Sequence, residues 1–159
     1  MTVERHVSRL PEKYDLQDLL RKKRRTLEIL KSSDPVEIKG ATDELVNLAN
    51  RALRSRDIDR IVELLKTIDD FLSELNYDIE TMEQVVKFYD EYWCKESHMH
   101  PVTKGVIGPK PEDILLSKAQ RKKAGELLKA MKYAKKKLSE KRNELKYWKT
   151  RLITRIVHG

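Results

Sequence analysis

Glycine, proline and cysteine are scarce in this sequence, and each shortage excludes a class of protein. Five glycines and five prolines in 159 residues are too few for the many turns of a β-sandwich or for a disordered Pro/Gly-rich tail. The one cysteine, Cys94, excludes an internal disulfide framework and suits a reducing compartment. Because 39% of the residues are hydrophobic and recur at helical spacing, the sequence predicts an all-α protein that forms one structural domain.

Long apolar runs are also missing. No stretch approaches the roughly 18 consecutive apolar residues that a membrane-spanning helix needs. Residues 1–9 alternate charged and apolar side chains and lack the apolar centre of a secretory signal peptide. We therefore expect the protein to be intracellular (cytoplasmic), or packaged within something assembled there. A charged fraction of 38%, together with few Asn, Gln and Cys residues, leans toward a hyperthermophilic source.

Apolar spacing predicts a bundle of four shorter helices within residues 1–95. The first begins near Asp15 and carries a run of five cations, and the second opens at Ser33-Asp34-Pro35, where a capping side chain precedes proline. The third begins after Asp57 and is expected to stop at Asn76. The fourth then follows from Asp78. The apolar stripe of the third helix comprises Ile58, Ile61, Val62, Leu65, Ile68, Leu72 and Leu75, and that of the fourth comprises Ile79, Met82, Val86, Tyr89 and Trp93.

A loop rich in proline and glycine, residues 96–111, separates this bundle from one very long basic helix, residues 112–159. Gly125 is the one internal breaker of that helix and is expected either to bend it or to divide it. A seven-residue repeat typical of a coiled coil runs through Ala124, Leu127, Met131, Ala134, Leu138, Leu145, Trp148 and Leu152, with Lys141 interrupting it. At about 1.5 Å per residue the helix would approach 70 Å. Part of it is therefore expected to pack on another chain.

Charge is unevenly distributed along the chain. Residues 1–56 carry a net +4, residues 57–96 carry −8, residues 97–111 carry +2, and residues 112–159 carry +10. The surplus of the last segment favours a polyanionic partner, because a cationic rod matches the regular charges of a nucleic-acid duplex and releases condensed counterions on binding. The candidate nucleic-acid-binding residues are Arg21, Lys22, Lys23, Arg24, Arg25, Arg121, Lys122, Lys123, Lys129, Lys132, Lys135, Lys136, Lys137, Lys141, Arg142, Lys146, Lys149, Arg151 and Arg155.

Double-stranded DNA is the expected partner, bound through its backbone by a self-associating protein. The sequence has no zinc-finger spacing, bZIP basic region or RNP-type aromatic motif that would indicate readout of bases. Tyr133, Tyr147 and Trp148 lie among the lysines, where aromatic rings can stack on bases, although Trp148 falls in the heptad seam. Three alternatives remain: the acidic helices neutralise the basic helix within the fold or across a subunit contact, the chain is a coiled-coil protein–protein interaction subunit, or it is a small DNA-binding regulator.

Catalytic and metal-binding patterns are weak in this sequence. Cys94, His98 and His100 supply three ligand-type side chains, whereas a structural zinc site takes four. Acidic pairs such as Asp69-Asp70 have no accompanying base or phosphate-binding loop. We therefore predict a non-enzymatic protein without a cofactor or a bound metal.

In organisation, the chain resembles the α-helical coat proteins of filamentous viruses of hyperthermophilic archaea. The resemblance rests on a short, basic, nearly cysteine-free chain whose cationic N-terminal helix, Leu16 to Leu30, leads into a helix bundle. It covers architecture and no specific residue pattern. The resemblance implies many copies that wrap double-stranded genomic DNA through its backbone, as the structural protein of a virion or capsid.

Overall fold

The structure is a computed structural model that describes residues 14–96 and 108–158. Five helices are found in this part of the chain: α1 (Leu16–Ser32), α2 (Pro35–Ser55), α3 (Ile58–Glu96), α4 (Pro111–Ile114) and α5 (Lys118–His158). Helices account for 91% of the residues described, and none of these residues forms a strand, so the all-α prediction is confirmed. No helix among them contains an apolar stretch sufficient to cross a membrane.

The predicted helix starts at Asp15, Asp34 and Asp57 are confirmed. Each carboxylate accepts a hydrogen bond from a backbone N–H of the first helical turn, from Asp18, Val36 and Arg60 at 3.1, 2.9 and 3.2 Å respectively. Such caps satisfy amide groups that have no partner within the helix. The helices therefore begin where short acidic side chains supply acceptors.

The predicted stop at Asn76 is wrong, because α3 is one continuous helix. Its apolar residues stay on the same face of the helix before and after this position, at alternating spacings of four and three residues. Asparagine in a helix interior costs well under 1 kcal/mol relative to alanine. That cost is smaller than the contribution of one buried leucine, about 2 kcal/mol. The uninterrupted stripe comprises Ile61, Leu65, Ile68, Leu72, Leu75, Ile79, Met82, Val86 and Tyr89, all of them buried.

The predicted single helix over 112–159 is also wrong at its start, since residues 115–117 separate α4 from α5. Ser117 begins α5 with a capping box: its Oγ accepts from Gln120 N at 3.1 Å, and Gln120 Oε1 accepts from Ser117 N at 2.9 Å. These reciprocal hydrogen bonds define a helix start without any proline or glycine. From there α5 passes through Gly125 without a break.

The chain divides into two compact units, the first comprising Met1–Ser32 and Glu80–Leu128. In this unit α1 and α4 pack with part of α3 around Leu19, Phe88, Tyr92 and Ile114. The Phe88 ring stacks on Tyr92 at a centroid distance of 5.5 Å and meets Tyr14 edge to face at 5.1 Å. Aromatic pairing therefore adds to the apolar burial that holds these elements together.

The second unit comprises Ser33–Ile79 and Lys129–Gly159. Here α2, the first part of α3 and the rest of α5 bury Ala49, Ile61, Ile68 and Leu138 almost completely. The predicted heptad seam is buried within each unit. Ala124 and Leu127 lie in the core of the first unit, and Met131, Ala134, Leu138 and Leu145 lie in the core of the second. The seam as far as Leu145 therefore needs no second chain to cover it.

Candidate nucleic-acid interface

The five successive cations of α1 divide between two partly buried positions and three exposed ones. Lys22 forms an ion pair with Asp18 at 2.7 Å and donates to Gln84 Oε1. Lys23 Nζ donates to the main-chain oxygen of Asp113 at 2.7 Å, and burial lowers the pKa of this lysine. The sequence indicated that a cation beside the apolar face requires a polyanion or an acidic partner. The chain itself supplies those acceptors.

The other three cations of this run lie on the surface. Arg21 is exposed and pairs with Asp18 at 2.8 Å, and the hydrogen bond from Lys22 is the main cause of the lowered pKa of that carboxyl. Arg25 contacts Glu28 at 3.4 Å. Arg24 is exposed and has no ion-pair partner among residues 14–96 and 108–158. The run therefore offers fewer free charges than its composition suggests.

In the first unit, α5 uses two predicted contact residues to hold the fold. Arg121 binds Asp90 with two hydrogen bonds, from Nε at 2.9 Å and from Nη2 at 3.1 Å, and these hydrogen bonds raise the pKa of the guanidinium. Lys123 donates to the main-chain oxygen of Leu30, in the last turn of α1, where carbonyl groups lack helical partners. Lys122 remains exposed on this unit.

The exposed lysines of the second unit concentrate near the start of its part of α5. Lys129, Lys132, Lys135 and Lys136 are exposed, and we call these four residues the lysine face. No acidic residue occurs in the sequence between Glu126 and Glu140. Lys129, Lys132 and Lys136 recur at three-four spacing and therefore point to the same side of the helix. The lysine face is the densest patch of exposed positive charge that the described part of α5 presents.

The remaining predicted contact residues differ in their exposure. Lys137 is exposed and lies 6.0 Å from the centroid of the Tyr133 ring. Lys141 pairs with Glu144 at 3.3 Å, and Arg142 forms an ion pair with Asp69 of α3. Arg151 Nη1 donates to the Tyr147 hydroxyl at 2.7 Å. Lys146 and Arg155 are exposed, whereas Lys149 is half-buried.

The aromatic residues among the lysines are engaged by neighbours that sequence analysis did not identify. Tyr133 donates its hydroxyl to Asp43 at 3.0 Å, which raises the pKa of the tyrosine, and Lys39 lies 5.8 Å from the centroid of its ring. Trp148 is half-buried, with the guanidinium of Arg56 3.5 Å from its ring centroid. These partners lie about ninety residues away along the chain, so no local pattern indicates them.

Chemistry-bearing clusters are few in the described part of the chain. No group of three or more His, Cys, Asp or Glu residues there is arranged to hold a metal ion. The side chains of Cys94, His98 and His100 lie outside the described residues. An open depression of about 370 Å³ in the second unit is lined by Asp69, Asn76, Arg142 and Asn143, and its charged groups pair with each other. Its residues therefore have a structural role in joining α3 to α5.

Comparison with known proteins found no match: no family model, curated protein or solved structure is similar to this chain.

Proposed function

We propose that the protein binds the backbone of duplex DNA without sequence preference, as an oligomeric structural or packaging protein. The lysine face carries this proposal. Its cations are exposed, and Lys129, Lys135 and Lys136 have no acidic partner within residues 14–96 and 108–158. Lysines held within an ion pair would have to exchange one anion for another, whereas these three gain a phosphate directly.

Charge spacing supports a duplex as the partner. Lys129 and Lys136 are seven residues apart, which corresponds to about 10 Å along the helix axis. A duplex presents one negative charge per about 1.7 Å of its axis, so roughly six phosphates lie within that length. At physiological ionic strength the screening length is about 8 Å, and each lysine therefore acts on phosphates in its immediate neighbourhood. Exposed lysines are thus dense enough to neutralise several phosphates together.

The internal pairing of other cations restricts the predicted interface. Lys22, Lys23, Arg121, Lys123 and Arg142 bind acceptors of their own chain. We therefore propose that the lysine face makes the main contacts, with Arg24 and Lys122 as candidates on the first unit. Backbone contact by flexible lysines carries no base readout, which suits packaging better than operator recognition. The resemblance to archaeal virion coat proteins favours the same class of function.

Binding of fluorescent duplexes of two unrelated sequences tests this proposal. If six to ten phosphates are neutralised per binding unit, affinity should fall by about three to five decades between roughly 50 and 200 mM salt. The variant K129Q/K135Q/K136Q should weaken binding to both sequences equally and lower the logarithmic salt slope by about 3. The matched control R51Q/R54Q/K66Q removes three exposed charges from α2 and α3 of the same unit and should change binding much less.

Three results would contradict the proposal. Absence of binding to either duplex at low salt would exclude a nucleic-acid partner under these conditions. Equal losses in the two triple variants would mean that net charge, and not the lysine face, controls binding. A preference of more than about 100-fold for one sequence would favour the small regulator, since specific sites exceed non-specific ones by three or more decades.

A protein–protein interaction subunit is the second candidate function. The observation that favours it is a set of exposed apolar residues at the distal end of α5, where Ile156 and Val157 are each 69% exposed. Exposed apolar clusters of this kind mark surfaces that other molecules cover.

A further inference from the structure

In the second unit, other helices cover most of α5. The last residues of α5 extend beyond them. Arg56, in the turn between α2 and α3, lies against Trp148 and marks the end of that cover. Residues 149–158 continue the helix by about 15 Å, and all of them except Lys149 and Leu152 are exposed. We call residues 149–158 the overhang.

The overhang continues the apolar face of α5 into solvent. Leu145 is fully buried, and Leu152 follows it at the next heptad position with partial exposure. Ile156 lies one turn further on the same face and is 69% exposed, and the neighbouring Ile153 is 41% exposed. A stripe that is buried upstream and bare downstream lacks its packing partner at the downstream end.

Charge limits what that partner can be. Lys149, Arg151 and Arg155 lie on the overhang, and no acidic residue follows Glu144 in the sequence. Two overhangs from different copies would therefore repel each other. A bare phosphate backbone would match the cations but would leave the apolar stripe in water. The partner that satisfies both features has an acidic surface with apolar side chains within it.

A surface of that kind occurs on α3 of the same protein. Asp59, Glu63, Asp70 and Glu74 are exposed and recur along one face of the helix, and the exposed Lys66 between them leaves that face with a net charge of −3. Tyr77 lies at one end of this face, after Glu74, and is 64% exposed. Val62 lies near the other end, next to Glu63, and is 42% exposed. We call the four carboxylates, together with Tyr77 and Val62, the acidic stripe. From Asp59 to Tyr77 it spans about 27 Å, which is longer than the overhang.

We propose that the overhang of one copy packs on the acidic stripe of a second copy. Ile153 and Ile156 would then pack against Tyr77, with the cations of the overhang opposite the carboxylates. In this arrangement the overhang and the acidic stripe of one copy meet two different neighbours, so the contact is head-to-tail and repeats into an open chain of copies rather than a reciprocal dimer. The contact does not depend on nucleic acid, although it would arrange successive copies along a duplex.

Sedimentation velocity of nucleic-acid-free protein tests this contact with reversed charges. The wild-type protein should form species larger than dimers as its concentration rises, and more strongly at about 50 than at 500 mM salt. The variants K149E/R155E and D70K/E74K should each weaken association at least tenfold when alone. An equimolar mixture of the two variants should restore it, because each reversed surface then meets a complementary one.

Matched variants separate a local effect from a change in net charge or in folding. K129E/K136E alters charge by the same amount as K149E/R155E, lies outside the overhang, and should associate like the wild type. I153S/I156S leaves the charge unchanged and should weaken association. Circular dichroism should give every variant the helix content of the wild type.

Several outcomes would overturn the inference. These are a wild-type protein that stays monomeric at about 50 mM salt, association that survives both charge reversals, and a mixture that does not recover. Binding of a monomeric protein to vesicles of anionic lipid, abolished by I153S/I156S, would assign the overhang to a membrane surface instead. DNA binding by the lysine face is measured separately, so failure of this contact would leave that binding standing and would remove only this route to an oligomer.

Discussion

The guanidinium of Arg56 lies 3.5 Å from the centroid of the Trp148 ring, which fastens the turn between α2 and α3 to α5. Arg56 occupies this turn in the left-handed region, with φ 54°, and its Nη1 donates to the main-chain oxygen of Leu53 at 2.7 Å. A left-handed conformation costs a non-glycine residue about 1 kcal/mol. The side-chain contacts of Arg56 therefore offset a local backbone cost.

A double-mutant cycle measures this contact. We expect a coupling of about 0.5–1 kcal/mol between R56A and W148L in urea unfolding, because cation–π pairs at exposed sites contribute about this much. R56G should be less destabilising than R56A, since glycine adopts positive φ freely. Additive effects of the two substitutions would show that the stacking geometry contributes nothing to stability.

Gly40 and Gly125, which both lie within helices, should respond differently to replacement by alanine. A Cβ atom at Gly40 meets nothing within 4 Å, so G40A should raise the free energy of unfolding by about 0.5–1 kcal/mol through helix propensity. A Cβ at Gly125 lies 3.0 Å from Arg121 Nη1, and Arg121 binds Asp90. G125A should therefore gain less. In an R121Q background the stability gained from G125A should rise to that gained from G40A. Equal gains from G125A and G40A in the wild-type background would contradict this explanation.

The all-α fold class and most helix starts could be predicted from the sequence, because both depend on local rules. Apolar spacing and a capping carboxylate identify a helix start within a few residues, as at Asp34. The two errors in the predicted helix boundaries arose where local sequence signals compete. Asn76 resembles a helix stop but lies within an unbroken apolar phase, and Ser117 caps α5 without a nearby breaker.

The candidate interface could be predicted only in part, because charge composition does not identify partners in space. The surplus of lysine in α5 is visible in the sequence, and the lysine face lies within it. Lys23 and Lys123, however, donate to carbonyl groups of Asp113 and Leu30, about ninety residues away. Only the tertiary fold shows that such cations stabilise the protein internally.

Removing the cap of α5 should destabilise the protein by about 1 kcal/mol. S117A deletes the hydroxyl that accepts from Gln120 N and leaves that amide without its acceptor. Thermal unfolding should show a lower Tm for S117A. S117G should lower the free energy of unfolding by only a few tenths of 1 kcal/mol. S73A replaces an exposed serine inside α3 and serves as the control, with an expected gain of at most about 0.5 kcal/mol from helix propensity. A Tm for S117A equal to that of the wild type would mean that the capping box has no energetic role.

Alkaline pH should weaken the first unit through Tyr14. Burial, followed by the hydrogen bond to Glu91 and the charge of that carboxylate, raises the pKa of Tyr14 above its usual value of about 10. The folded state thus holds the phenolic proton more tightly than the unfolded state does. The resulting stabilisation is fully present below pH ~10 and decreases as the pH rises through and beyond that value.

The variant Y14F removes this titration together with the hydrogen bond. At pH 8 we expect Y14F to be less stable than the wild type by about 1 kcal/mol in urea unfolding. That difference should shrink between about pH 10 and 11, because only the wild type loses the contribution of Tyr14 there, whereas deprotonation of lysines affects both proteins. Y77F, at an exposed position, should change stability little. If the difference between Y14F and the wild type stays constant across this range, the phenolic proton of Tyr14 does not contribute to folding.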